Sequence, residues 1–227
     1  MRKMILFCIL LFSLLFAGCG NESGISGPAK NNSDTLPGQA PVSVVKTILF
    51  FGNSLTAGYQ LDPAQAFPAL IQQKIDSVGV SYKVINGGVS GETSAGGNQR
   101  IDFVLKQQQV DVFVLELGAN DGLRGIPLAE TKKNLQSIID KVKVRFPSVK
   151  LVLAGMQMPP NMGEAYTKEF RELYPELAKK NNMTLIPFLL EGVADVPALN
   201  LEDGNHPTPE GHKVVAETVW KYLRTVL

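Results

Sequence analysis

What most constrains this chain is a regular exchange between two kinds of segment, running from Val44 to the C-terminus. Short runs rich in β-branched, aromatic and Leu residues occur at Val44–Phe51, Tyr82–Ile85, Val112–Leu117, Lys150–Ala154 and Thr184–Phe188. They are apolar on both faces, the pattern of parallel strands covered on both sides by helices. Between them, apolar residues recur at helical spacing near residues 64–78, 97–109, 128–145, 164–181 and 209–226. The last segment also carries its own start signal, Thr208 as N-cap with Pro209 in the first turn. Strand–helix alternation of this kind predicts an α/β domain over 44–227, a three-layer α/β/α sandwich with a five-stranded parallel sheet.

Ahead of that domain the chain reads differently. Arg2 and Lys3 precede an apolar stretch from Met4 to Ala17, too short to span a bilayer and patterned like a secretory leader. It ends in Leu15-Phe16-Ala17-Gly18-Cys19, which resembles the lipobox of bacterial lipoproteins. That resemblance implies cleavage after residue 18, acylation of Cys19 and a membrane anchor in the cell envelope, facing the periplasm on the outer membrane if the cell is Gram-negative. Residues 20–43 are dominated by Gly, Pro, Ser and Asn, with too little apolar surface to bury, so 19–43 reads as an acylated Cys19 plus a disordered tether. The only other cysteine, Cys8, lies in the leader, which leaves the exported domain without a disulfide partner for Cys19.

Lys and Arg number 22 against 21 Asp and Glu, with no basic run, which argues against a nucleic-acid partner. With two His and no Cys-x-x-Cys pair, no metal site or other cofactor is expected.

In an open parallel sheet, sites form at the carboxyl ends of the strands. The first strand runs into Gly52-Asn53-Ser54-Leu55-Thr56-Ala57-Gly58-Tyr59, where Ser54 is either a nucleophile or a helix cap. The second runs into Asn86-Gly87-Gly88-Val89-Ser90-Gly91, glycines that either let backbone amides approach a ligand or simply turn the chain. The third runs into Gly118-Ala119-Asn120-Asp121-Gly122, where Asn120 offers a neutral N–H donor. Ahead of the last helix stands Asp203-Gly204-Asn205-His206, a carboxylate three residues before an imidazole, able to bend back and orient it. Each is ambiguous by itself. Together they supply nucleophile, base, orienter and oxyanion donors, the set that acyl transfer requires. His212, on the apolar face of the last helix, reads as structural, and Glu116 inside a buried strand demands a polar partner.

These four blocks, in order, resemble the SGNH (GDSL-type) serine hydrolases, and Glu116-Leu-Gly-Ala-Asn-Asp-Gly-Leu-Arg-Gly125 is similar to their bacterial acyl-thioesterase, lysophospholipase and arylesterase branch. The resemblance implies a flavodoxin-like sheet, Ser54 as nucleophile, His206 as base and Asp203 as its orienter. It implies an oxyanion hole from the Ser54 and Gly91 amides and the Asn120 side chain. Asn53 departs from the Asp usual before the serine; it keeps the size and an acceptor but not the charge.

For the substrate, Met156, Met158 and Pro159 after the fourth strand would form a soft apolar wall, with Leu123, Arg124 and Ile126 adding to it. This favours a small acyl ester, thioester or lipid as partner of a monomeric enzyme. The alternatives are a carbohydrate O-deacetylase of the same family and a catalytically silent lipid-binding lipoprotein.

Overall fold

A computed structural model describes residues 45–227. The leader, Cys19, the tether and the first residue of the expected domain, Val44, lie outside the described residues. Five strands, β1 (Lys46–Gly52), β2 (Tyr82–Gly88), β3 (Val112–Glu116), β4 (Lys150–Ala154) and β5 (Thr184–Ile186), form one parallel sheet in the order β2-β1-β3-β4-β5. Ile48 to Phe51 and Val112 to Leu115 are almost wholly buried, as strands apolar on both faces must be.

Helices α2 (Phe67–Ser77) and α7 (Pro209–Leu223) pack together, while α3 (Ser94–Gln107), α5 (Leu128–Arg145) and α6 (Glu164–Asn181) pack side by side as a second group. Two short helices were not expected from sequence: α1 (Ser54–Ala57) and α4 (Ala119–Leu123). Each opens directly after a strand and is too brief for an apolar period to show. Other boundaries shift by a few residues. The fifth strand stops at Ile186, ahead of Pro187, and the last helix stops at Leu223. The helix expected from 97 starts at Ser94, because the Thr93 side chain accepts from the Gly96 N–H. Thr208 caps α7 in the same way, accepting from the Gly211 N–H, with Pro209 at the first position.

The sheet changes direction of growth at β1, whose neighbours β2 and β3 are reached by crossovers to opposite sides. A crevice opens at such a switch point outside the carboxyl ends of the two flanking strands. Here those ends are Gly52 of β1 and Glu116 of β3, which are paired in register. Among the described residues no helix is long and apolar enough to cross a membrane.

Candidate active site

β1 delivers the chain into α1 with Asn53 as N-cap, its side-chain oxygen accepting from the Leu55 N–H at 2.9 Å. Ser54 is therefore the first residue of a one-turn helix at the switch point. Below it lies the buried Glu116 carboxylate. It accepts from the Asn53 N–H (3.1 Å), the Asn53 Nδ2 (2.8 Å) and the Thr56 hydroxyl (2.8 Å). These are the polar partners that a carboxylate inside a strand requires. Burial pushes the Glu116 carboxyl up to about 7, and the donors from Thr56 and Asn53 limit the rise. Gly52 is needed beside it, since a Cβ there would stand 2.2 Å from the Thr56 Oγ1 and 2.5 Å from the Glu116 Oε2.

At the other end of the chain, a turn brings Asp203 and His206 to the same place. The His206 Nε2 is 2.8 Å from the Ser54 Oγ, and its Nδ1 is 2.6 Å from the Asp203 Oδ2. The second Asp203 oxygen accepts from the Asn205 and His206 N–H groups at 2.9 and 3.0 Å. Burial works to raise the Asp203 carboxyl, but the Asn205 N–H, the His206 ring and the His206 N–H outweigh it and hold it below its ordinary value. Asp203 thus stays an acceptor, and an Nδ1–H aimed at it leaves the Nε2 lone pair for the serine hydroxyl. The Tyr59 ring lies against the imidazole, with centroids 4.5 Å apart.

The loop after β2 carries Gly91 at φ 78°, a conformation that favours glycine. Glu92 is fixed by Arg100, whose Nε and Nη2 donate to its two oxygens at 2.5 Å each, while the same Nη2 also donates to the Gly87 carbonyl at 2.7 Å. From α4, the Asn120 Nδ2 donates to the Glu92 carbonyl at 3.0 Å, which sets the amide beside Gly91. Asp121, fully buried, ties α4 to the start of α3 by accepting from the Ser94 N–H (2.8 Å) and Ser94 hydroxyl (2.5 Å).

A cleft of about 320 Å³ opens over Ser54 and His206, with Asn120, Leu123, Met156, Met158 and Pro159 among its lining residues. Two of the expected wall residues do not line it. The Arg124 guanidinium turns back to donate to the Gly91 carbonyl at 3.0 Å, and Ile126, past the end of α4, is tied by its N–H to the Asp121 carbonyl. The backbone turn after α4 decides both, and residue type alone does not reveal it. Phe188 and Leu190, which do line the cleft, follow β5 in a segment that sequence reasoning assigned in part to the strand. Tyr59, Arg100 and Asp121 were also missed as supports. Asp121, and Tyr59 at the end of the Gly52–Tyr59 segment after the first strand, lay inside motifs already singled out; Arg100 did not.

His212 is structural, as expected: it is buried in α7, and its Nδ1 accepts from the Phe67 N–H at 3.1 Å. Burial, with a smaller contribution from the charge on His206, lowers its pKa to about 4 and keeps the ring neutral. Among the described residues no three His, Cys, Asp or Glu side chains stand together in a way that could hold a metal ion.

Comparison with known proteins agrees with this geometry. Esterase TesA of Pseudomonas aeruginosa is 37% identical over 185 residues, covering 82% of this chain and 91% of the relative. The Escherichia coli thioesterase 1/protease 1/lysophospholipase L1 is 35% identical over 181 residues, covering 80% of this chain and 85% of the relative. Among solved structures, the crystal structure of TesA superposes with a TM-score of 0.77 at 37% identity, covering 80% of this chain and 100% of that one. The psychrotrophic esterase EstA from Pseudoalteromonas sp., inhibited by monoethylphosphonate, gives 0.75 at 30% identity, covering 79% and 97%. The model of the GDSL-like lipase/acylhydrolase family matches residues 50–214, and the chain belongs to that family.

Proposed function

We propose that the protein hydrolyses carboxylic esters and thioesters of acyl chains through an acyl-enzyme on Ser54. The observation that carries this reading is the unbroken relay from Ser54 Oγ to His206 Nε2 and from His206 Nδ1 to Asp203, at the mouth of an apolar cleft. As the Ser54 oxygen bonds to the substrate carbonyl carbon, its proton passes to His206 Nε2, and Asp203 stabilises the imidazolium that results. The negative charge moves to the carbonyl oxygen, toward the Ser54 and Gly91 N–H groups and the Asn120 amide. Collapse breaks the bond to the leaving alkoxide or thiolate, which takes the proton back from His206. Water then repeats the sequence on the acyl-enzyme, with His206 again the base, and releases the acid and free Ser54.

The Leu123, Met156 and Met158 side chains around the cleft favour an acyl chain over a sugar. On p-nitrophenyl esters from acetate to palmitate, kcat/KM is expected to rise with chain length to an optimum beyond acetate. Met158→Ala should reduce the longer-chain preference, since 1–3 kcal/mol per methylene group sets the discrimination such a pocket achieves. A preference for acetate that Met158→Ala leaves unchanged would instead support the O-deacetylase reading.

The sequence at Cys19 supports an acylated anchor and an envelope location. Incorporation of labelled palmitate that disappears in Cys19→Ala is the expected result; labelling that persists would remove the anchor.

A further inference from the structure

The domain is electrically lopsided, and the lopsidedness follows from its topology. Because every strand of the sheet runs the same way, all five strands start at one pole, and α2, α3, α5, α6 and α7 end there. That pole comprises residues 45–47, 74–83, 104–111, 142–150, 178–184 and 220–227. It holds 11 of the 19 Lys and Arg residues of the described domain but two of its 19 Asp and Glu. The loops at the opposite, catalytic edge, residues 53–66, 88–94, 117–128, 155–164 and 187–209, hold eight acidic residues and one basic residue, Arg124; Asp121 of the eight is buried and Glu92 is paired with Arg100, which leaves six exposed carboxylates. Cations at helix C-termini are favoured by the helix dipole and need no partner to explain them. Lys46 and Lys83 stand instead at strand starts, where no such dipole acts, and so does Lys150, whose Nζ donates to the Val226 and Leu227 carbonyls.

Val45 (59% exposed), Val78 (56%), Val80 (39%) and Val144 (83%) stand in solvent among these cations. The catalytic edge exposes apolar side chains too, at Tyr59, Val89, Leu123 and Val196, so it is the cations that distinguish the basic pole. The chain also enters the domain here, at Val45, so that residues 1–44 are joined to this pole and not to the catalytic edge.

We propose that this pole is a docking surface for an anionic lipid bilayer, which holds the domain with its catalytic edge turned away from the membrane. Cations attract anionic headgroups at short range, and the exposed valines fit the apolar boundary beneath them. The excess of carboxylates at the catalytic edge disfavours the reverse orientation. Substrates then arrive from the surrounding solution and not from the leaflet beneath the enzyme. The proposal deepens the reading of Cys19 as an anchor, but the attraction does not require acylation and is tested without it.

The test uses the chain from residue 19 onward with Cys19→Ala, free of the apolar leader, floated with vesicles of phosphatidylcholine alone or containing a third of phosphatidylglycerol. The expected result is binding several-fold stronger to the anionic vesicles, falling steeply with salt. The combination Lys46→Glu, Lys83→Glu, Lys143→Glu and Arg145→Glu should reduce that binding by about tenfold or more, with p-nitrophenyl ester turnover unchanged. If the combination unfolds the chain, the charge-neutralising set Lys46→Gln, Lys83→Gln, Lys143→Gln and Arg145→Gln decides, and it too should weaken binding several-fold. Equal binding to neutral vesicles, or binding insensitive to salt, would overturn the proposal. So would binding of inorganic polyphosphate with no flotation on the anionic vesicles, which would mark the pole as a site for a dissolved polyanion. Palmitate labelling that persists in Cys19→Ala bears only on the anchor, so the two failures are distinguishable.

Discussion

Ser54→Ala is expected to lower kcat by about 10^4- to 10^6-fold on any ester substrate, with little change in KM. The substitution removes the oxygen that forms the acyl bond and leaves the cleft and the oxyanion donors in place. It also removes the hydroxyl's bond to His206 and its long, 3.5 Å bond to the Asn53 oxygen, from a side chain 8% exposed, so the melting temperature should hardly move. His206→Ala should cost a comparable factor, and the double variant should be no worse than the more impaired single one, because the two groups act as one unit. Steady-state kinetics on p-nitrophenyl butyrate, with thermal melts as the folding control, would measure all three. Residual activity within tenfold of wild type in Ser54→Ala would put the nucleophile elsewhere.

The largest expected effect on stability lies directly beneath the serine. Glu116→Ala would orphan three buried donors at once, the Asn53 N–H, the Asn53 amide and the Thr56 hydroxyl. At about 1–3 kcal/mol per unsatisfied group, the loss should be on the order of 4 kcal/mol or more, roughly 10 °C in a domain of this size. The wild-type residue carries a pH dependence of its own. Its pKa is about 7 in the folded chain against an ordinary 4.5, so the folded state keeps a proton that the unfolded state releases. That contribution is complete below pH 4.5 and is lost as pH rises through 7, reaching about 3 kcal/mol by mildly alkaline pH. Glu116→Gln cannot titrate. It should melt below wild type at pH 6, where its amide faces donors, and then show none of the decline wild type shows toward pH 8. A wild-type melting temperature flat from pH 5 to 8 would contradict the account.

Asn53 gives this arrangement its particular character. An Asp there would set a second carboxylate against Glu116, and the pair would have to share a proton. Asn53 instead donates its amide to Glu116 while its oxygen caps α1 and stands 3.5 Å from the Ser54 hydroxyl. The size and acceptor that Asn shares with Asp are both used.

The layers of the fold were legible because buried parallel strands need apolar residues on both faces, and few other structures do. Ser54 and the Asp203–His206 pair were legible because each depends on a short stretch of chain at a strand end or a helix approach. Where Arg124 and Ile126 lie was not, since the backbone turn after α4 sets it. The Arg100–Glu92 clamp and the Tyr59–His206 contact join segments whose meeting is decided by tertiary packing. The basic pole escaped notice for the opposite reason. Its cations are spread along the sequence, one at the start of β1, β2 and β4 and one or two at each helix end, and they become a patch when the parallel topology collects those ends.

The loop that carries Asp203 and His206 is held by few ties. The Leu201 N–H bonds the His206 carbonyl at 2.7 Å, the Thr208 N–H bonds the Leu199 carbonyl at 2.9 Å, and Asn200 bridges to Pro207. The serine stands at the end of a central strand, more than a hundred residues earlier in the chain. Asp203 and His206 lie in this one loop, so an opening of the latch draws both away from Ser54 together. The working range of the site is tied to the local stability of that latch as well as to the stability of the sheet.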